Sequence, residues 1–220
     1  VDYVPWAIAS EILMKFNVLL SGASVYDEYT NFVQNLVEKA YNRLGVTIIP
    51  NEPRVDRYAR DIIINLACEF QFPACLTETN NELQKFIENG EKIERDSIDV
   101  IYCNGMRMAN LETFDFMMRK LLNSEDNNEK KLIIDSLSCI HDIELFKKFI
   151  NSATNEIDEK QLILTSAIDH CNNEKLKIVV EFVQANYSVI QLEAFPEILK
   201  SIASRISTIE NYELYKSLLE

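Results

Sequence analysis

Apolar residues recur along this chain at three- and four-residue intervals, the period of an α-helix that buries one face. Leu111, Phe114, Met118 and Leu121 form one such stripe behind Asn110, whose side chain suits a helix N-cap. The polar run 123–128 interrupts it, and Leu132, Ile133, Leu137 and Ile140 make the next stripe. Asp142 opens a third, with Leu145, Phe146, Phe149 and Ile150. A fourth starts near Asp158 with Leu162, Ile163, Ala167 and Cys171, and a fifth near Asn173 with Leu176, Val179, Val180 and Val183. Starts near 110, 126, 142, 158 and 173 are about 16 residues apart, so a helix pair recurs about every 32. Connections this short make neighbouring helices antiparallel. The pattern predicts an all-α fold, a HEAT/armadillo-like α-solenoid in which each helix pair covers the apolar face of the next.

The first half carries the same signal. Pro5 suits a first helical turn, where its missing N–H has no partner to lose. Ile8, Ile12, Leu13, Phe16 and Leu20 follow, and Gly22 stops the run. Tyr29, Phe32, Val33, Leu36, Val37 and Tyr41 mark a second helix ending near Gly45. Pro50 and Pro53 make 47–53 an extended linker, and a third helix begins about Arg54 with Tyr58, Ile62 and Leu66.

Composition narrows the class. The 220 residues carry 22 Lys and Arg against 35 Asp and Glu, a formal net charge of −13. Nucleic-acid binding is excluded as a function, because it needs clustered cations against phosphates. Four glycines and five prolines are too few for the turns of a sandwich or barrel. In 5–20, the most apolar stretch, Ser10, Glu11, Lys15 and Asn17 break any continuous membrane span, and a signal-peptide pattern is missing. The chain reads as one helical-repeat domain, 1–220, and its start at Val1 rather than Met suggests a fragment or a processed chain.

Five cysteines occur, at 68, 75, 103, 139 and 171. On an unbroken helix Cys68 and Cys75 would stand about 10.5 Å apart along the axis, beyond the reach of a disulfide. Pro73 ends the helix between them, so the chain can double back and staple a helix–turn–helix. Cys103 and Cys139, 36 positions apart, are about one repeat unit apart. Spacing alone leaves bridged and free thiols equally open. No Cys-x-x-Cys or His-x-x-x-His pair offers a metal site. His141 and His170 lie outside any H-E-x-x-H helix, and each reads as a helix-boundary or surface residue. Acidic clusters such as Glu125 with Asp126, or Glu156, Asp158 and Glu159, suit helix N-termini. Asn186-Tyr187-Ser188 is a glycosylation sequon that matters if the chain is secreted. These residues assemble no catalytic centre.

Several positions together resemble the C-terminal helical domain of zinc aminopeptidases of the aminopeptidase N type, in the gluzincin family. They are Tyr3-Val-Pro-Trp6, the Arg-rich helix from Arg57 to Cys75, Ile101-Tyr-Cys-Asn-Gly105, Ser136-Leu-Ser-Cys139 and Asn186-Tyr187. Departures are Phe114, where the family usually has Trp, Tyr187 in place of another Trp, and the unmatched Cys171. The resemblance covers nearly the whole chain, and the family's domain begins upstream of Val1. It implies two successive bridges, Cys68–Cys75 and Cys103–Cys139, and an oxidising extracellular setting. It also implies a curved helical bowl over the catalytic domain of the same polypeptide, closing the substrate chamber and limiting which peptides enter. The parent would be a cell-surface enzyme, membrane- or lipid-anchored, that removes N-terminal residues with a zinc held elsewhere. This chain has no zinc-binding or catalytic motif, so it is expected to need no cofactor and to be inactive alone.

Two classes of function follow. One is the non-catalytic chamber domain of such an enzyme, with peptide substrates of the parent and a homodimer as further partners. The other is a stand-alone helical-repeat module that binds a protein, for instance a cell-surface docking site for a toxin or pathogen protein. Tyr102, Arg107 and Arg119 are candidate contacts on a concave face, each against a plainer packing or surface role.

Overall fold

The computed structural model describes residues 2–154, 159–187 and 195–219. Its regular elements are all helical: twelve α-helices and one 3₁₀ turn, with no strand among the described residues. The chain divides into two compact units, Val1–Met108 and Ala109–Glu220.

The first unit contains α1 (Tyr3–Leu20), α2 (Tyr26–Leu44), α3 (Arg54–Glu69), α4 (Pro73–Asn89) and α5 (Ile98–Met106), with a 3₁₀ turn at Arg95–Ser97. Helix α3 is its centre and packs against the other four. The core joins Leu13 of α1, Val33, Val37 and Tyr41 of α2, Ile63, Ile64 and Ala67 of α3, and Val100 and Ile101 of α5. Each helix shows this core one stripe. On α3 that stripe centres on Ala59, Ile63 and Ala67, whereas Tyr58 of the expected stripe is exposed. A helix with apolar residues on both flanks fixes its facing only through its neighbours.

Helix α1 shows this most clearly. Leu13 and Asn17 are its only buried residues, while Val4, Ile8, Ile12, Phe16 and Leu19 point outward, Ile8 at 59% exposure. Its length and mean hydropathy of 1.2 would suffice for a membrane crossing. Yet Tyr29 Oη donates to the Leu13 carbonyl at 2.6 Å and Asn17 Nδ2 to Glu69 Oε1 at 2.9 Å, so one side is docked on protein. Phe32 and Leu36 of α2 are likewise exposed.

The second unit contains α6 (Leu111–Asn123), α7 (Asn127–Ser138), α8 (Ile143–Ser152), α9 (Lys160–Asp169), α10 (Asn173–Ala185), α11 (Phe195–Ala203) and α12 (Ile209–Ser217). Alternate helices stack: α7 on α9 on α11 in one row, and α8 on α10 on α12 in the other. Two rows of sequence-alternating helices are the packing of an α-solenoid. The starts are set chemically. Asn110, Asp126, Asp142 and Asn172 each accept from a first-turn N–H, at 2.9, 2.8, 2.9 and 2.9 Å. The expected start at Asp158 and its neighbour Glu156 lie outside the described residues; α9 begins at Lys160, behind Glu159.

Candidate functional site

The turn between α3 and α4 is built by its backbone and closed by sulfur. Gln71 N–H donates to the Cys68 carbonyl at 3.0 Å and Phe72 N–H to the Ala67 carbonyl at 2.8 Å, the paired bonds of a Schellman cap. Gln71 occupies the left-handed position of that cap, at φ 57°. Pro73 then opens α4, and Cys68 and Cys75 are joined by a disulfide with Cα atoms 5.3 Å apart. The α4–α5 contact is tight for a different reason. A Cβ at Gly105 would lie 2.7 Å from Leu83 Cβ and 2.9 Å from the Thr79 carbonyl oxygen. Only glycine lets α5 approach this closely, and Asn80 Nδ2 donates to the Gly105 carbonyl at 3.0 Å.

A buried ion pair holds the loop before α3. Arg60 is 1% exposed; its Nη1 and Nη2 donate to the two Glu52 carboxylate oxygens, each at 2.5 Å, and its Nε to the Leu44 carbonyl. The guanidinium thereby ties the end of α2, the loop and α3 together. Arg60 also holds the Glu52 carboxyl below the ordinary carboxylate range, chiefly through the hydrogen bond. Sequence reasoning missed this pair, because nothing in the spacing of Glu52 and Arg60 shows that the loop folds back.

The candidate contact residues fall in three different places. Tyr102 is 1% exposed and packs on the Phe86 ring, so its side chain fills core and offers no surface to a ligand. Arg107 is fixed to Glu69 by an ion pair at 2.6 Å, and its Nε donates to Asn104 Oδ1 at 3.0 Å, so its charge is already engaged. Arg119 is exposed on α6. Asn186 ends α10 with its Nδ2 donating to the Phe182 carbonyl at 2.9 Å; Ser188 of its sequon lies outside the described residues. Cys103 is half-buried on α5 of the first unit, and Cys139 is buried at the end of α7 in the second.

Polar groups inside the second unit are satisfied by one another. Ser138 Oγ donates to Ser166 Oγ at 2.9 Å, and Ser166 Oγ donates to Asp135 Oδ1 at 2.7 Å. Lys175, 3% exposed, donates from Nζ to the Ser138 carbonyl and lies 4.8 Å from the centre of the Phe146 ring. Serine, lysine and aspartate would suit nucleophilic chemistry, but here the lysine faces a backbone carbonyl and the hydroxyls are buried. They hold α7, α9 and α10 together. His170 is exposed, with Nδ1 3.6 Å from Cys139 Sγ, and His141 is exposed just before α8. The two histidines are on separate segments, so the His-x-x-x-His helix of a gluzincin site has no counterpart in this chain.

Helix α1 carries an exposed apolar face of Val4, Ile8, Ile12, Phe16 and Leu19. Comparison with known proteins gives it a context. Residues 1–220 match the ERAP1-like C-terminal domain family. Aminopeptidase N of Plutella xylostella is 26% identical over 96% of this chain and 23% of its own length. Thyrotropin-releasing hormone-degrading ectoenzyme of Rattus norvegicus is 24% identical over 70% of this chain and 15% of its own length. Aminopeptidase N of Bos taurus is 22% identical over 94% of this chain and 23% of its own length. This chain spans less than a quarter of the length of these relatives. With the family matched over residues 1–220 and an all-helical fold in both units, the chain belongs to the ERAP1-like C-terminal domain family.

Proposed function

We propose that this chain is the non-catalytic C-terminal domain, one helical-repeat domain over 1–220, of an extracellular, membrane-associated zinc aminopeptidase. Its task is to close and shape the chamber in which peptides lose their N-terminal residues. The match of residues 1–220 to a C-terminal domain family, with relatives named as aminopeptidases, carries this reading. The outward face of α1 supports it. Val4, Ile8, Ile12 and Leu19 make this face a contiguous apolar patch of the kind that another part of a protein covers. The occupant we assign to it is the remainder of the parent polypeptide, which in the relatives makes up more than three quarters of the length. The domain supplies shape and closure, and the zinc and its chemistry belong to the parent's catalytic domain.

The test is the transcript 5′ to the codon of Val1. An in-frame H-E-x-x-H with a distant glutamate is the expected finding; a long upstream frame without it would leave a stand-alone binding module instead. The purified 220-residue chain, assayed with alanine p-nitroanilide and added zinc, is expected to release no product. Zinc-dependent release by this chain would overturn the non-catalytic assignment. We further propose a Cys103–Cys139 bridge, supported by the 36-residue spacing shared with the family. Peptide mapping without reductant is expected to find the two cysteines cross-linked, and alkylation of both in the unreduced chain would refute it.

A further inference from the structure

Cys139 closes α7 beside an imidazole. His170 Nδ1 lies 3.6 Å from Cys139 Sγ, and both residues belong to the second unit. The ring is exposed, on the residue that closes α9, whose N–H donates to the Ser166 and Ala167 carbonyls. A helix C-terminus stabilises a cation, so a charged ring suits this place. Once protonated, the ring carries N–H on both nitrogens and donates to the sulfur facing it. The Asp135 carbonyl, 3.3 Å from the same sulfur, cannot stabilise a thiolate. The imidazolium can, because His⁺ beside a cysteine favours the ionised sulfur.

Accessibility separates the two sulfurs of the bridge proposed above. Cys103 is half-buried, whereas Cys139 is 1% exposed. A thiolate arriving from solvent reaches Cys103 first, and the sulfur that such an attack releases is Cys139, the one beside the ring. In thiol–disulfide exchange the better-stabilised thiolate leaves faster. Access and charge therefore select the same direction. The Cys68–Cys75 bridge differs on both counts. Cys68 and Cys75 are each 0% exposed, and their sulfurs meet the Thr79 hydroxyl and the Ile64 carbonyl.

We propose that His170 makes the Cys103–Cys139 bridge a reversible tie opened by small thiols, with Cys139 as the leaving sulfur; the inference rests on that bridge. A thiolate of the glutathione class attacks Cys103 Sγ and forms a mixed disulfide there. The bond between Cys103 and Cys139 breaks, and its electron pair passes to Cys139 Sγ, which the His170 imidazolium holds as the thiolate. A second thiolate attacks the glutathione sulfur of the mixed disulfide, giving oxidised glutathione and the Cys103 thiolate. Two thiols are thus oxidised to one disulfide while the bridge takes up two electrons. In the other direction, Cys139 attacks the mixed disulfide at Cys103 and recloses the tie. His170 is a positioning residue here: it forms no bond, and it acts through the charge on Cys139.

The test equilibrates the whole 220-residue chain in mixtures of reduced and oxidised glutathione, followed by acid quench, N-ethylmaleimide and peptide mapping. The tie is expected to open under milder reduction than Cys68–Cys75, with glutathione attached at Cys103. His170→Asn, at an exposed position, should leave the melting temperature of the oxidised chain unchanged. It should make the bridge about tenfold harder to reduce, a shift of about 30 mV. His170→Lys returns a cation and should recover part of that shift, which a merely structural role does not predict. Equal midpoints in wild type and His170→Asn, or glutathione attached at Cys139, overturn the inference and leave the bridge standing. Alkylation of both Cys103 and Cys139 in the unreduced chain removes the bridge itself, and this inference with it. The attachment site is read in the wild type, so it decides even if a variant fails to fold.

Discussion

Single residues carry charge and strain in this fold at places where their loss should be measurable. Arg60 is surrounded by Glu52 and a backbone carbonyl, so Glu52→Gln leaves a buried guanidinium without its counter-charge. Loss of about 3–5 kcal/mol is expected, read by urea unfolding or by hydrogen exchange of the α3 amides. The pair also has a pH signature. Because the Glu52 carboxyl is held low in the folded chain, its contribution is present above the ordinary carboxylate range and lost as pH falls through the folded value. Gln71 is a case of strain. It holds a left-handed conformation that glycine adopts freely, and Gln71→Gly should raise stability by about 1 kcal/mol. A melting temperature that is unchanged or lower would show that the Gln71 side chain offsets the cost.

At the level of elements, the second unit was the more legible in sequence because its boundaries are written in single residues. Asn110, Asp126 and Asp142 stand where the apolar period predicts starts, and each caps its helix. Asp142→Ala should cost about 1 kcal/mol, seen as faster amide exchange in the first turn of α8. The facing of helices was less legible. Along α6 the pattern picks Leu111 and Met118, yet Leu111 is exposed and Met117 takes the core place. Neighbours, and not period alone, decide which of two adjacent apolar residues turns inward. Asn65 and Glu69 stand four apart on α3, but their partners Asn104 and Arg107 emerge only from tertiary packing. Contact distance was equally hidden: nothing around Gly105 in the sequence shows Leu83 and Thr79 closing on it. Gly105→Ala forces that contact apart and should cost about 1–3 kcal/mol in thermal unfolding. Replacing Cys68 and Cys75 together by Ala removes an eight-residue covalent loop and should cost about 2.5 kcal/mol on the chain-entropy model. Denaturation of that variant beside the parent chain measures it.

For the molecule as a whole, the acidic surface and the apolar α1 face point to different kinds of encounter. A net charge of −13 keeps chains apart from one another and from polyanions, whereas the α1 face favours permanent cover. Replacing Ile8 and Ile12 by Glu should therefore leave the isolated chain's melting temperature nearly unchanged, because both side chains are exposed. The same pair in a full-length parent should reduce secretion or stability; an equally well-secreted variant would remove the assigned occupant. The last feature to weigh is Cys171, a free thiol that burial pushes up to about 12. Although the residue is part-exposed, a sulfur held protonated reacts with iodoacetamide slowly, and faster when the packing around α9 and α10 opens and lets it ionise. Its alkylation rate is thus an intrinsic stopwatch for breathing of the second half of the chain, readable by intact mass without any engineered label.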